Sequence, residues 1–134
     1  MKIIERINDL KIIDQKRPIA LIPTMGNLHE GHLSLVKQSI ELQLNPLVTI
    51  YVNPLQFGPN EDFEKYPRTI NQDKKNLEKY KCAYLYLPEK TELLKGIKKL
   101  KAPYSKFLCA KKRPGHFDGV ITIAVSYTHL RAHE

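Results

Sequence analysis

Ile19-Ala20-Leu21-Ile22-Pro23-Thr24-Met25-Gly26-Asn27-Leu28-His29-Glu30-Gly31-His32 is the stretch that decides the fold. The apolar run 19–22, stopped by Pro23, reads as a short buried strand. Thr24 to Asn27 reads as a loop, and apolar positions 28, 33, 35, 36, 40 and 42 then give a helical period over residues 28–42. In a parallel sheet, the loop between such a strand and helix lies at the carboxyl edge, where ligands bind. The first helical turn offers N–H groups and a partial positive charge, which suit phosphate. His29 and His32, three residues apart, project from one side of that turn. Both can donate hydrogen bonds to phosphate oxygens as charge builds in a transition state. Gly31 between them would let a flat adenine or ribose approach the backbone. Two readings compete with this one on spacing alone: a metal-binding histidine pair, for which no third ligand is near in sequence, and surface histidines without function.

Alternation of strand and helix continues on both sides. Apolar positions 3, 4, 7, 10, 12 and 13 predict a helix over 3–13, ended by Arg17-Pro18. Asn45-Pro46 breaks the second helix, and residues 47–52, rich in β-branched side chains, predict a strand. A polar loop with a Gly58-Pro59 turn runs to about residue 68; a helix follows over 70–79, then a third strand over 83–87 closed by Pro88. Residues 120–125 fit either a fourth strand or the start of a helix. No internal repeat is present. The order predicts an α/β protein with a Rossmann-like parallel sheet flanked by helices.

The chain has 134 residues, 42% of them apolar and 27% charged, the balance of a globular protein rather than a disordered tail. No apolar stretch approaches the length of a membrane helix, and the N-terminus lacks the apolar core of a signal peptide. Cys82 and Cys109 lack CxxC spacing, so two free thiols in a reducing cytoplasm are expected. The net charge of +8 is local: residues 90–113 carry nine Lys and Arg against one acid, Glu92, and the rest of the chain is balanced. That segment, with Tyr104 and Phe107 for stacking, keeps a nucleic-acid-binding module as an alternative function. A solvated lysine face is the commoner fate of such a run, so nucleic acid is not expected as a partner.

A second constellation, Tyr51-Val52-Asn53-Pro54-Leu55-Gln56-Phe57-Gly58, follows the strand at 47–52. Loops after neighbouring parallel strands open on one edge, so Asn53 and Gln56 are expected to face the histidine loop. Amides there can read the hydroxyls and carboxylate of a small polar substrate. Asn-Pro as a strand cap and Gly-Pro as a turn account for the same residues structurally.

The strand–Pro–x–x–Gly–x–x–His–x–Gly–His order resembles the HxGH signature of the nucleotidyltransferase superfamily. Taken with 52–57, Glu61-Asp62 to Tyr66-Pro67-Arg68-Thr69, and Arg113-Pro114-Gly115-His116-Phe117-Asp118-Gly119-Val120, it resembles the pantothenate synthetase (pantoate–β-alanine ligase) family from the first residues to about Val125. The resemblance implies that pantoate attacks the α-phosphorus of ATP, releasing pyrophosphate, and that β-alanine displaces AMP from the pantoyl adenylate. It assigns ATP to Met25, Gly26, Asn27, Leu28, His29, Glu30, Gly31 and His32, with His29 and His32 on phosphates and His32 as the acid. Gln56 would hold pantoate, with Asn53 and Phe57 alongside and Tyr66 and His116 as further candidates. Mg2+ would shield the departing pyrophosphate. A cytoplasmic homodimer is implied, and another small-molecule adenylyltransferase is the alternative within the superfamily.

Three departures from the family pattern stand out. The stretch 95–101 is shorter and more basic than usual. The helix, the lysine-aspartate-glutamine motif and the serine-rich C-terminal lid domain that follow in the family do not follow here. Residues 126–134 read as foreign sequence joined at a break. The expected organisation is an incomplete nucleotide-binding domain over 1–125 and a non-family tail over 126–134, inactive without the lid that closes over ATP.

Overall fold

The computed structural model describes residues 1–57 and 62–89. They fall into two units, one of residues 1–51 and 67–89, the other including 52–66.

The first unit is a four-stranded parallel sheet with helices between its strands. In chain order the elements are β1 (Lys2–Ile4), a 3-10 segment (Ile7–Ile12), β2 (Ile19–Thr24), α1 (Glu30–Glu41), β3 (Asn45–Ile50), α2 (Ile70–Lys79) and β4 (Tyr84–Tyr86). The strand order is β1-β4-β3-β2, every neighbouring pair parallel. β3 lies inside the sheet, and its residues from Pro46 to Ile50 are all buried. That is where a run of Leu, Val, Thr and Ile fits best.

Two prolines that read as breaks lie inside strands. The Pro18 and Thr24 carbonyls accept from the Asn45 and Tyr51 N–H groups of the β3 chain. Even-numbered residues of β2 therefore face β3, and the nitrogen of Pro23 points to the other side, where no ladder bond to β3 is lost. Pro46 precedes the β3–β4 register, which begins at Leu47 opposite Tyr84. Its carbonyl instead accepts a long 3.7 Å contact from the Cys82 thiol.

The helix expected over 3–13 does not form. Ile3 and Ile4 are extended, with Ile4 opposite Tyr86, and only residues 7–12 coil, as a 3-10 segment. The Lys2 N–H donates to the Ala83 carbonyl at 3.0 Å, and the Ile4 carbonyl accepts from Leu87 at 2.8 Å. A parallel ladder with β4, joining residues some eighty apart, overrides a local helical period between two β-branched residues.

One face of the sheet is covered by both helices. Ile22, Leu33, Val36, Val48, Ile50, Leu77, Cys82 and Leu85 form that core, with Leu28, Ile70, Tyr80 and Leu87 against it. Cys82 is a buried free thiol whose pKa burial pushes up, which makes it a packing group. Leu35, Ile40 and Leu42 of the α1 segment remain exposed. No helix among the described residues is long and apolar enough to cross a membrane.

In the second unit, the buried Asn53 accepts the Leu55 N–H on its Oδ1 at 3.1 Å and starts a 3-10 turn, Pro54–Gln56. Asp62 starts another turn by accepting the N–H groups of Glu64 and Lys65.

Candidate active site

Thr24 ends β2 by turning its hydroxyl inward. It donates to the Thr49 carbonyl at 2.8 Å and accepts the Gly26 N–H at 3.1 Å, which ties the start of the loop to β3. Gly26 then adopts φ +81° and Asn27 φ +51°. Glycine is required at 26 on two counts. Its backbone is left-handed, and a Cβ there would meet Ile50 Cγ2 at 3.1 Å and Asp73 Oδ2 at 3.2 Å. This sharp turn aims Leu28 inward and leaves Asn27 and His29 exposed.

His29 is the N-cap of α1, and the two histidines cap the helix reciprocally. His29 Nδ1 accepts the Gly31 N–H at 3.0 Å, and His32 Nδ1 accepts the His29 N–H at 3.2 Å. The rings lie 4.0 Å apart, tilted by 39°. An Nδ1 that accepts a hydrogen bond cannot carry a proton, so each neutral ring is the Nε2–H tautomer. The pair therefore offers two Nε2–H donors at the positive end of a helix. Partial burial holds the His32 pKa below its ordinary value; His29 lowers it further and the Asp73 carboxylate opposes both. The shift favours the neutral form of His32, in which Nε2–H is the donor.

Gly31 also answers a need within the chain itself. A Cβ there would lie 2.7 Å from Cε1 and 3.0 Å from Nδ1 of His29. The missing side chain makes room for the imidazole that folds back over the first turn.

Asp73, in the first turn of α2, is the residue the sequence reading missed. It is 1% exposed. Its Oδ2 accepts the Asn27 N–H and its Oδ1 the Leu28 N–H, both at 2.9 Å, and the Thr69 hydroxyl donates to Oδ2 at 3.1 Å. A signal was present: Ile70, Asp73 and Leu77 share one helical stripe, and a carboxylate on a core-facing stripe needs donors. At the rim, the exposed Glu30 accepts the Tyr80 hydroxyl at 3.1 Å, which raises the tyrosine pKa.

The other expected residues divide. In the second unit, Phe57 and Tyr66 come together, ring centroids 5.7 Å apart and edge-on, with Phe63 at 5.3 Å from Phe57. Phe63 is a second residue the sequence reading passed over. Asn53 shapes its own turn. Met25 is half-buried beside Gly26. The Gln56 side chain, His116, the basic segment 90–113, residues 120–125 and the tail 126–134 lie outside the described residues.

A parallel α/β sheet with an HxGH helix start at a strand's carboxyl end defines a class, the nucleotidyltransferase-like α/β proteins. Within that class, the family model described as pantoate-beta-alanine ligase matches residues 2–131, and the chain belongs to this family. It is 43% identical to a pantothenate synthetase of Fervidobacterium nodosum, over 97% of this chain and 49% of that protein. Against the pantothenate synthetase of Thermotoga petrophila the identity is 44%, with the same coverage. Among solved structures, the pantothenate synthetase of Thermus thermophilus superposes with a TM-score of 0.86 at 30% identity, covering 97% of this chain and 49% of that one. The Francisella tularensis pantoate-beta-alanine ligase, solved with beta-gamma ATP and beta-alanine, superposes with a TM-score of 0.85 at 29% identity, covering 97% and 53%. The chain spans about half the length of the curated relatives it matches.

Proposed function

We propose that this chain is the nucleotide-binding half of an ATP-dependent pantoate–β-alanine ligase. The observation that carries the reading is the histidine pair, whose Nδ1 atoms are both held by backbone N–H groups and whose Nε2–H donors are left for phosphate.

The reaction has two steps. A carboxylate oxygen of pantoate attacks the α-phosphorus of ATP; the bond to the bridging oxygen breaks and pyrophosphate leaves with the electron pair. The β-alanine amine then attacks the acyl carbon of the adenylate, AMP departs, and the nitrogen loses its proton to solvent. Charge on the phosphate oxygens grows in the first step. Two Nε2–H donors fixed beforehand would stabilise it without reorganisation. Phe57, Phe63 and Tyr66 form an aromatic cluster whose apolar rings would suit the branched side of a hydroxy acid, and the Gln56 amide would suit its polar groups. Asn53, fully buried and bonded to the Leu55 N–H, would act by shaping the turn that carries Gln56.

Magnesium belongs in this reading to the nucleotide's phosphates. Among the described residues no group of three or more His, Cys, Asp or Glu is placed to hold a metal, and both Asp73 oxygens are already occupied by donors. Bound with the nucleotide, magnesium would neutralise phosphate charge as pyrophosphate departs.

Pantoate labelled with 18O in its carboxylate gives the test. A chain completed with the second half of the Fervidobacterium relative should transfer one label to AMP per pantothenate formed. AMP free of label would refute the adenylate route. The 134-residue chain alone should bind ATP yet form little or no pantothenate, and turnover equal to the completed protein would refute that part.

A further inference from the structure

We infer that Asp73 is a positioning residue for the nucleotide site: its carboxylate clamps the loop ahead of α1 so that His29 and His32 keep their Nε2–H donors presented to phosphate. Asp73 touches no substrate in this role. It acts on the two residues, Asn27 and Leu28, that lead directly into His29.

The geometry makes the carboxylate hard to replace. Two consecutive backbone N–H groups end on its two different oxygens, and the Thr69 hydroxyl completes the set. The loop needs this restraint because Asn27, a non-glycine residue, stands at φ +51° directly after Gly26 at +81°. A charge-assisted pair of bonds inside a buried site holds that turn where neutral bonds would hold it less firmly. The clamp also decides which donors remain. With the Asn27 and Leu28 amides taken by Asp73, the loop itself cannot cradle a phosphate in the manner of a glycine-rich phosphate loop. The anion is directed to the histidines and the first turn of α1. The negative charge also counteracts the burial and the neighbouring ring that lower the His32 pKa.

Asparagine at position 73 keeps the shape but offers one carbonyl oxygen, and its NH2 faces a backbone N–H, so at least one amide bond is lost. The inference rests on the nucleotide reading only in its last step, and the experiment separates the two. The wild-type chain, Asp73→Asn and Thr69→Val are compared by NMR without nucleotide and then by ATP titration.

In the wild type, coupling across the hydrogen bonds should link the Asn27 and Leu28 amide nitrogens to the Asp73 carboxyl carbon, and its absence overturns the clamp even if no variant folds. Asp73→Asn should speed amide exchange at Asn27 or Leu28 about 10-fold or more, disturb the ring-nitrogen shifts of His29 and His32, and weaken ATP about 10-fold. Thr69→Val, which keeps both amide bonds, should change ATP affinity by less than about 3-fold. Unchanged ring shifts in a folded Asp73→Asn protein overturn the positioning role. So does wild-type ATP affinity in that variant. A wild-type chain that binds no ATP refutes the proposed function instead, and the nucleotide-free exchange and ring shifts then decide the clamp by themselves.

Discussion

α1 and α2 begin in opposite ways, and the difference separates a site from its support. α1 is capped by its own side chains, the exposed His29 and the half-buried His32, each imidazole accepting a backbone N–H of the same turn. α2 has no side-chain cap at Thr69. Its first turn sends the Thr69 hydroxyl and the Asp73 carboxylate inward, towards the loop that precedes the other helix. Helix starts ordinarily spend such residues on their own orphan N–H groups. Here one start keeps two ring donors at the surface because the other start holds its backbone still.

The largest effect should come from removing the donors themselves. In the completed protein, His29→Ala or His32→Ala is expected to lower kcat about 100-fold or more, since each deletes a fixed donor to developing charge. Losing either residue also removes half of the reciprocal cap, about 1 kcal/mol of stability. Turnover within a few fold of wild type in either variant would break the contrast, because α1 would then be capped by histidines for stability alone.

Gly31→Ala separates these contributions. The new Cβ would sit 2.7 Å from His29 Cε1, so the ring must swing away and lose its bond from the Gly31 N–H. The lost cap costs about 1 kcal/mol, and alanine's helix propensity over glycine returns about the same. Thermal unfolding should therefore barely move while ATP affinity falls roughly 10-fold, the size of one misplaced charge-assisted donor. Equal ATP binding would show that the His29 ring position is immaterial.

A smaller effect lies in pH. The His32 pKa is lowered in the folded protein, so folding disfavours its protonated form. Below the ordinary value of 6.5 the unfolded chain binds more protons at this site than the native one, and stability falls with pH until native His32 also protonates. Above 6.5 this contribution is fully present. An NMR titration should find the His32 midpoint below 6.5, with Nε2–H as the neutral tautomer. A midpoint above 6.5, or an Nδ1–H tautomer, would remove the neutral-donor role. Protonation at Nδ1 also ejects the His29 N–H, so acid should fray the start of α1 before that of α2.

Much of this contrast is legible in the sequence, on one side only. The parallel alternation follows from the apolar runs around Ile22 and Val48 and from the helical periods between them. His29 and His32 announce themselves through the turn and spacing that precede them. Gly31 reads as a close-approach glycine, and the protein's own imidazole comes close to it, which spacing cannot reveal. Asp73 is only half readable for a related reason: its place on the stripe of Ile70 and Leu77 says that it needs donors, not which ones. An acid in a helix's first turn is ordinary, and nothing local says that its oxygens reach amides 45 and 46 residues earlier. β1 fails in the same way: the spacing of Ile3, Ile4, Ile7 and Leu10 is helical, and only pairing with β4 makes the first two extended. Information carried by one partner is readable; information shared between distant partners is not.

The helix ends give the smallest effect and sharpen the comparison, because there the two helices are alike. Gln43 follows α1 at φ +60° and Lys81 follows α2 at φ +60°, both exposed, each in a left-handed turn that leads into the next strand. The N–H groups of Leu44 and Cys82 reach back to Ser39 and Leu77, the same closing pattern in both. A non-glycine residue in that conformation costs about 1–2 kcal/mol, and glycine's extra freedom in the unfolded chain gives back roughly half of it. Gln43→Gly and Lys81→Gly should therefore each stabilise the protein by about 0.5 kcal/mol in urea unfolding, add when combined, and leave ATP affinity unchanged. Unequal gains, or a change in ATP affinity with either, would mean that the asymmetry extends beyond the helix starts. Equal and silent gains would confine it to the two first turns, where one helix holds the loop and the other faces the ligand.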